Sequence, residues 1–314
     1  MKKMNKTLLT GVVSLLLAGT VHAQTSWNGS VDDDFHNGSN WTAGVPGQTG
    51  VADIATLGGE GGSASVINVN SLYATGAAPY TSPFIDVYIR NNTTLNLNHS
   101  FRTVRYFHLG SSTVGGSAVL NNTVNVNVGQ LFVRDDLVIG DDNTHSKTDT
   151  FTLSGAGKLL LQGAASTESV IVNDTGVFHL NGENATATIG DGTNGVDAQF
   201  IMNDTATLKY TLGANAASVL DIEAGFTIGA NSVLEIDAAS YTGGVGTITL
   251  ASFGSKTGTF DVGNVSIGGL AGGLSGSITY TATTMDLSII PEPGSYALLA
   301  GLTGLAFVMV RRRS

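Results

Sequence analysis

Aspartates in short runs are the residues best suited to chemistry. Arg134-Asp135-Asp136 precede Asp141-Asp142 by a few residues. Paired carboxylates beside a basic residue suit cleavage of a glycosidic bond, which gives an enzyme hypothesis: a β-helix polysaccharide lyase or glycoside hydrolase. Catalytic carboxylates usually come from different strands, and Arg134 beside Asp135 is explained more simply as a surface ion pair. We therefore predict a non-enzymatic protein and keep the enzyme as the alternative.

Acidic runs also raise the question of a metal. Ca²⁺ takes six to eight oxygen ligands, which could come from Asp32-Asp33-Asp34, from Asp141-Asp142-Asn143, or from Asp191 with Asn194 and Asp197. None of these segments matches an EF-hand loop or the nonapeptide of calcium β-rolls. We predict solvated turns and no cofactor, with Ca²⁺ as the alternative.

Nucleophiles and transition-metal ligands are sparse. The chain has no cysteine and shows no Gly-Xaa-Ser-Xaa-Gly, His-Glu-Xaa-Xaa-His or phosphate-loop motif. The histidines beyond residue 23 are far apart, so each is predicted to be a ladder or turn residue and not a ligand or base. They are His36, His99, His108, His145 and His179.

The composition indicates short strands joined by tight turns. Glycine is abundant, with 42 residues, proline is rare, with 5, and Asn, Thr, Ser, Val and Leu fill most of the remainder. Several segments alternate apolar and polar residues with a period near two, so each would bury one face. Examples are 65–70, 94–98, 123–128, 205–210 and 247–250.

An internal repeat suggests how these strands are arranged. The segment 91–98 recurs at 121–128, Leu109-Gly110 recurs as Ile139-Gly140, and 173–180 recurs at 203–210, each 30 residues later. A shared offset predicts a repeated unit and hence a right-handed parallel β-helix with polar ladders between coils. In that fold Asn91 would stack on Asn121 and Asn173 on Asn203. The alternative is a β-sandwich, either for the whole body or for a C-terminal part with a boundary near residue 213.

Both ends of the chain contain segments typical of targeting signals. Residues 1–23 have a basic start, an apolar stretch and Val21-His22-Ala23, which predicts a secretory signal peptide; an uncleaved anchor is the alternative.

Between the two terminal segments, residues 24–290 contain 23 acidic and 8 basic side chains, a net charge of −15. Such a body should repel nucleic acid, so we expect no nucleic-acid partner.

The C-terminal segment combines three features. Pro291-Glu292-Pro293 is followed by 17 uncharged residues, 294–310, and by Arg311-Arg312-Arg313. As a helix the uncharged run would rise about 26 Å, slightly less than a ~30 Å hydrocarbon core, and the arginines predict a cytoplasmic end. We predict one C-terminal transmembrane helix.

Residues 291–314 resemble the PEP-CTERM sorting signal of Gram-negative bacteria. The resemblance implies a temporary membrane anchor, cleaved near Pro291, Glu292 and Pro293 by exosortase, a membrane transpeptidase-like enzyme. It also implies delivery to the cell surface or to the extracellular polysaccharide matrix of a biofilm. The alternative is an ordinary tail anchor whose prolines only stop a helix.

The region from Trp27 to Asp53 resembles the opening segment of secreted bacterial proteins with autotransporter-associated β-strand repeats. It contains the only tryptophans of the chain, Trp27 and Trp41. At one end of a β-helix they would cap a core that a solenoid otherwise exposes. The alternative is a sugar-stacking platform.

Overall fold

The computed structural model describes residues 24–47, 54–58, 65–74, 85–110, 121–140, 148–161, 168–190 and 198–313. The predicted signal peptide 1–23, His145 and two of the predicted solvated turns, 141–143 and 191–197, lie outside the described residues. The protein is all-β, with 56% strand, and forms a β-solenoid of about six turns. The predicted β-helix architecture is thus confirmed, while its right-handed coil stays a prediction.

The described residues form twenty-two strands, two short 3-10 helices and one α-helix. The strands of the first half are β1 (Gln24–Ser26), β2 (Ile54–Leu57), β3 (Ser65–Val69), β4 (Tyr73–Ala74), β5 (Ile85–Ile89), β6 (Thr93–Leu97), β7 (Phe101–Leu109), β8 (Thr123–Val126), β9 (Gln130–Ile139), β10 (Asp149–Ser154) and β11 (Lys158–Leu161). Those of the second half are β12 (Ser169–Val172), β13 (Gly176–Gly182), β14 (Thr186–Ile189), β15 (Gln199–Met202), β16 (Thr207–Leu212), β17 (Val219–Ile228), β18 (Val233–Asp237), β19 (Gly246–Thr257), β20 (Val265–Gly268), β21 (Leu274–Tyr280) and β22 (Thr284–Pro291). The 3-10 helices are Gly38–Asn40 and Val262–Asn264, and α1 is Pro293–Arg313.

Successive coils stack their strands in parallel. An eight-stranded sheet has the order β20-β18-β16-β13-β10-β8-β6-β3, and a fourteen-stranded sheet holds the remaining strands. Along β10 every second residue is buried, so Phe151 and Leu153 face the core while Thr150 and Thr152 face outward. Period-two alternation therefore places one apolar row inside each coil, where neighbouring coils cover it.

The predicted register is correct in one place and wrong in another. Asn203 Nδ2 donates to Asn173 Oδ1 at 2.8 Å, which confirms the 30-residue stacking there. By contrast, Thr94 pairs with Thr123, an offset of 29, so Asn121 lies over Asn92 and not over Asn91. At this offset the Asn122 side chain accepts the N–H of Thr93 at 3.2 Å.

Polar ladders connect the coils on the outer face of the eight-stranded sheet. In each ladder, the side-chain amide of one asparagine donates to the side-chain oxygen of the asparagine one coil earlier, at 2.9 to 3.2 Å. The ladders comprise Asn68, Asn96 and Asn125 in one row and Asn70, Asn98 and Asn127 in the other. The predicted ladders are thus confirmed.

An aromatic cluster closes the N-terminal end of the core. Trp27 and Trp41 are 2% and 4% exposed, and their rings meet edge to face at 5.3 Å. Trp41 Nε1 donates to the carbonyl of Phe35 at 2.9 Å, and the Phe35 ring contacts Tyr73 and Phe101 inside the first coil. Because neither indole is open to solvent, the cluster acts as a cap and not as a sugar platform.

The C-terminal end changes pairing. Parallel pairing continues past residue 213, from β16 to β18 and from β17 to β19. Strand β22 then pairs antiparallel with β19 and with β21, as part of the fourteen-stranded sheet. Among the described strands the antiparallel part is therefore a hairpin added to the solenoid, and not the separate sandwich considered from the sequence.

Helix α1 contains the predicted apolar run and all three arginines of the tip. Within the part of the chain that the structure describes, no helix has the length and apolar character needed to cross a membrane. The transmembrane assignment of 294–310 accordingly stays a prediction.

Candidate functional site

The predicted processing tripeptide lies at the junction between the solenoid and α1. Pro291 is the last residue of β22 and pairs with Leu274, Glu292 N–H donates to the carbonyl of Gly273 at 2.8 Å, and Pro293 begins the helix. Proline suits this first helical position because its missing N–H would have no helical partner there. Because proline fixes φ and lacks an N–H donor, two prolines in three residues favour an extended, unpaired chain. It is extended at Pro291, but it stays bonded to the edge of the sheet.

Apolar side chains of α1 face solvent on several sides of the helix. Each of seven is between 51% and 70% exposed: Leu298, Leu302, Leu305, Phe307, Val308, Met309 and Val310. Inward-facing residues of β22 are instead fully buried, such as Leu287 and Ile289 at 0%. A helix with exposed apolar groups on several sides is not packed against the body in the way of an amphipathic surface helix.

The first acidic run stabilises a turn. Asp32 Oδ1 accepts from Asn40 Nδ2 at 2.6 Å and Oδ2 accepts from Asn37 Nδ2 at 2.8 Å, and these bonds lower the pKa of Asp32. Asp34 accepts a backbone N–H, while Asp33 accepts the side-chain amide of an asparagine on β3. Across the described ranges no group of three or more His, Asp or Glu residues could hold a metal ion.

The hypothetical catalytic cluster is spread among other contacts. Arg134 Nε lies 3.5 Å from Asp135 Oδ1, as predicted for a surface ion pair. Asp136 instead accepts the N–H of Ser169 at 3.0 Å, and burial raises its pKa. The other two carboxylates of that hypothesis, 141 and 142, lie outside the described residues, so the described part of the cluster does not form a carboxylate pair.

A cluster that sequence reasoning missed joins β5 to β7. Arg105 donates to both oxygens of Asp86, through Nε at 2.9 Å and Nη2 at 2.5 Å, and its guanidinium lies 5.0 Å from the centre of the Tyr106 ring. Two to three residues further along the same two strands, the rings of Tyr88 and His108 stack with their centres 4.9 Å apart. The period-two alternation of the sequence predicts which residues of β5 and β7 face outward. It does not predict the register in which the two strands pair. His108 is a ladder residue, as predicted.

Another histidine is held in a comparable way on the eight-stranded sheet. His179 Nε2 lies 3.0 Å from Thr211 Oγ1. Burial, reinforced by the positive charge of Lys209, lowers the pKa of His179 to about 4. At neutral pH His179 is therefore an uncharged partner in a polar row, and not a base with a pKa near the working range.

The fourteen-stranded sheet carries a cavity of about 630 Å³, which we call the axial groove. Its floor consists of outward side chains from five adjacent strands, in register along the solenoid axis: Leu160, Thr188, Asp221, Ser252 and Thr284. Ser252 Oγ donates to Asp221 Oδ1 at 2.6 Å. The sequence did not predict this groove, because its floor residues are far apart in the chain and come together only when the coils stack.

Beside the floor, the glycines Gly190 and Gly254 lie on either side of Glu223 in the wall of the axial groove. A Cβ at Gly190 would collide with the Glu223 side chain, and one at Gly254 would collide with the Glu223 carbonyl. Gly190 also has φ near +108°, a conformation that disfavours other residues. Both glycines are therefore explained by close packing against Glu223, whose side chain lies over Gly190 and whose backbone carbonyl lies beside Gly254.

Comparison with protein-family models, with curated proteins and with solved structures finds no match to this chain.

Proposed function

We propose that the protein is a non-enzymatic, exported structural or adhesive protein, sorted to the cell surface or extracellular matrix by its C-terminal segment. The observation that carries this proposal is the junction at Pro291–Pro293. There the last strand of a well-packed solenoid passes directly into a helix with exposed apolar side chains. Such a tail can be removed without removing any strand of the body.

In the precursor, α1 would insert into the inner membrane with Arg311 to Arg313 on the cytoplasmic side. The 17 uncharged residues rise about 26 Å, so insertion across a ~30 Å core needs local thinning of the bilayer or arginine side chains that reach towards the interface. A short span suits a temporary anchor. An exosortase-type enzyme would then cut near Pro291, Glu292 and Pro293 and release the body.

The released body has the properties of a matrix component. Its coils are connected by parallel strand pairing and by amide ladders, and its net charge of −15 disfavours nucleic acid as a partner. A stiff solenoid with repeated polar rows can make several weak contacts with extracellular polysaccharide at once, and such contacts add up in avidity.

The double substitution Pro291→Ala and Pro293→Ala tests the sorting signal. It alters the tripeptide and leaves the apolar run unchanged, so we expect uncleaved precursor to accumulate in the membrane fraction of cells that possess the sorting enzyme. Ile290→Ala, at an exposed position next to the tripeptide, is the matched control and should be processed normally. Normal processing of the double variant would contradict recognition of the tripeptide.

A second variant separates orientation from processing. Replacing Arg311, Arg312 and Arg313 with Ser removes the charges that hold the tip in the cytoplasm. We expect weaker retention and mixed orientation of the precursor, measured by protease access to the tip from the outer side of the inner membrane. Unchanged protection of the tip would show that the arginines do not set the orientation.

A further inference from the structure

We propose that two copies of the chain associate through the C-terminal ends of their solenoids. The contact surface includes a cavity of about 370 Å³ between β20 and β21, which we call the end groove. Its apolar lining consists of Val265 and Ile267 of β20, Ile278 and Tyr280 of β21, and Phe260 and Val262 before β20. The inference goes beyond the proposed sorting and matrix function and does not depend on it.

Apolar residues of the last coil are incompletely covered. Val265 and Ile267 are only partly buried, and Val262 beside them is 93% exposed. Their partners one coil earlier, Leu234 and Ile236, are 0% and 3% exposed. The difference arises because each coil of a solenoid is covered by the next, and no further coil follows β20 among the described strands.

Both sheets end beside the end groove in a strand with one free edge. Among the described residues, β20 pairs only with β18, and β21 pairs only with β22. Backbone N–H and C=O groups on the outer side of each strand are therefore available to another strand. Neither β20 nor β21 contains a proline or a charged residue, which are common means of protecting an edge strand. The two edges are thus open to pairing with a strand from another molecule.

The N-terminal end of the solenoid does not offer such edges. Thr42 N–H donates to the carbonyl of Ser26 at 2.9 Å beside β1, and Phe35 N–H donates to the carbonyl of Asn68 at 3.0 Å beside β3. The segment between β1 and β2 therefore occupies the outer edge of the first strand of each sheet. Head-to-tail stacking of copies would have to displace this segment, so the C-terminal end of one copy is better matched by the same end of another.

The distribution of charge also favours a second copy at this end. Residues 257–285 contain a single charged side chain, Asp261, whereas the body 24–290 has a net charge of −15. Copies that met through the sides of the solenoid would bring acidic surfaces together. Contact through the end groove avoids most of this repulsion and covers apolar groups at the same time.

A two-fold axis between the copies satisfies both free edges. Because such an axis reverses the direction of a strand, it pairs β21 antiparallel with β21 of the second copy, and β20 with β20 in the same way. Each sheet then continues from one copy into the other, and the end groove is closed. Both copies use the same surface, so the association stops at two.

Sedimentation velocity of the full-length protein in mild detergent, over a range of concentrations, tests the association. We expect a two-copy species whose fraction rises with protein concentration. High salt should not reduce this fraction, because apolar burial and backbone pairing stabilise the contact and salt screens the repulsion between acidic bodies. A protein that stays monomeric throughout, or one that grows beyond two copies, would overturn the proposal.

The substitution Ser277→Lys locates the contact. Ser277 is exposed in the middle of β21, so a single copy accommodates the lysine, whereas a dimer brings two lysines close together at the new strand pair. We expect the dissociation constant to rise at least about tenfold. Ser39→Lys makes the same change at an exposed position of the N-terminal end and is the matched control. Unchanged association of Ser277→Lys would place the contact elsewhere, for example in α1, and would overturn the proposal.

Cysteine cross-linking tests the two-fold arrangement, because the chain has no cysteine of its own. Ser275, Ser277 and Thr279 lie on one face of β21, and each is replaced by cysteine and oxidised alone and in pairwise mixtures. We expect disulfides only in the combinations that one antiparallel register brings opposite each other. Cross-linking of all combinations alike, of none, or of Ser277→Cys with Ser39→Cys at the N-terminal end would overturn this arrangement.

Discussion

Single side chains on the outer faces are stabilised mainly by their counterparts one coil away. Asn96 shows the pattern, since it donates to Asn68 and accepts from Asn125, at 2.9 Å in both cases. His108 stacks on Tyr88 in the same way. Ladder contacts of this kind could be predicted from the sequence, because polar residues recur at repeated positions. The Arg105–Asp86 pair could not be predicted, because the two residues come from coils of unequal length.

Asn96→Ala should reduce the free energy of unfolding by about 1–3 kcal/mol, because it removes two ladder hydrogen bonds and leaves both neighbours with one partner fewer. Asn231 is exposed at the turn before β18, and Asn231→Ala should change stability by less than about 0.5 kcal/mol. Urea unfolding followed by circular dichroism measures both values. Equal effects of the two substitutions would show that the ladder does not contribute.

His179 should make stability depend on pH. Its pKa is about 4 in the folded protein and near 6.5 when unfolded, so the unfolded chain binds more protons between these values. The contribution of neutral His179 is therefore present above pH ~6.5 and is lost as the pH falls towards 4. The melting temperature of the wild type should therefore fall relative to that of His179→Gln as the pH is lowered from 7 to 4. Parallel curves over this range would contradict a buried neutral histidine.

At the scale of elements, period-two alternation located the strands well. The predicted segments 94–98 and 123–128 correspond to β6 and β8, each with one buried row, and the Asn173–Asn203 stacking follows the 30-residue repeat. The 30-residue repeat did not predict every register, because the coils differ in length. Thr150, for example, pairs with Thr123 on one side and with Val177 on the other, each 27 residues away. The antiparallel hairpin of β21 and β22 has no repeat signal, since it ends the stack.

Removal of α1 should leave the body intact. A chain ending at Glu292 loses only the helix with its exposed side chains, so we expect a melting temperature within about 2 °C of the full-length value. A chain ending at Thr283 also loses β22, whose Met285, Leu287 and Ile289 are 0% exposed. Because each such side chain contributes about 1.5–3 kcal/mol, the second truncation should unfold at a much lower temperature or not fold. Similar melting of both truncations would contradict the boundary at the tripeptide.

On the scale of the whole molecule, an acidic solenoid is closed by aromatic rings at one end and by a hairpin at the other. In the acidic run that the structure describes, Asp32 and its neighbours already accept hydrogen bonds from nearby amides and backbone groups, so this turn is held without a metal ion. We expect a chelator to leave the melting temperature unchanged. A fall in melting temperature that added Ca²⁺ reverses would show that a bound ion stabilises the folded state.

The intact mass of the mature protein, measured together with its cellular fraction, tests the central claim most directly. In host cells that possess the sorting enzyme, we predict a protein that lacks residues 1–23 and the helical tail 294–314, located outside the inner membrane. A protein that retains its C-terminus to Ser314 and stays with the inner membrane would contradict the sorting function and the matrix role that depends on it.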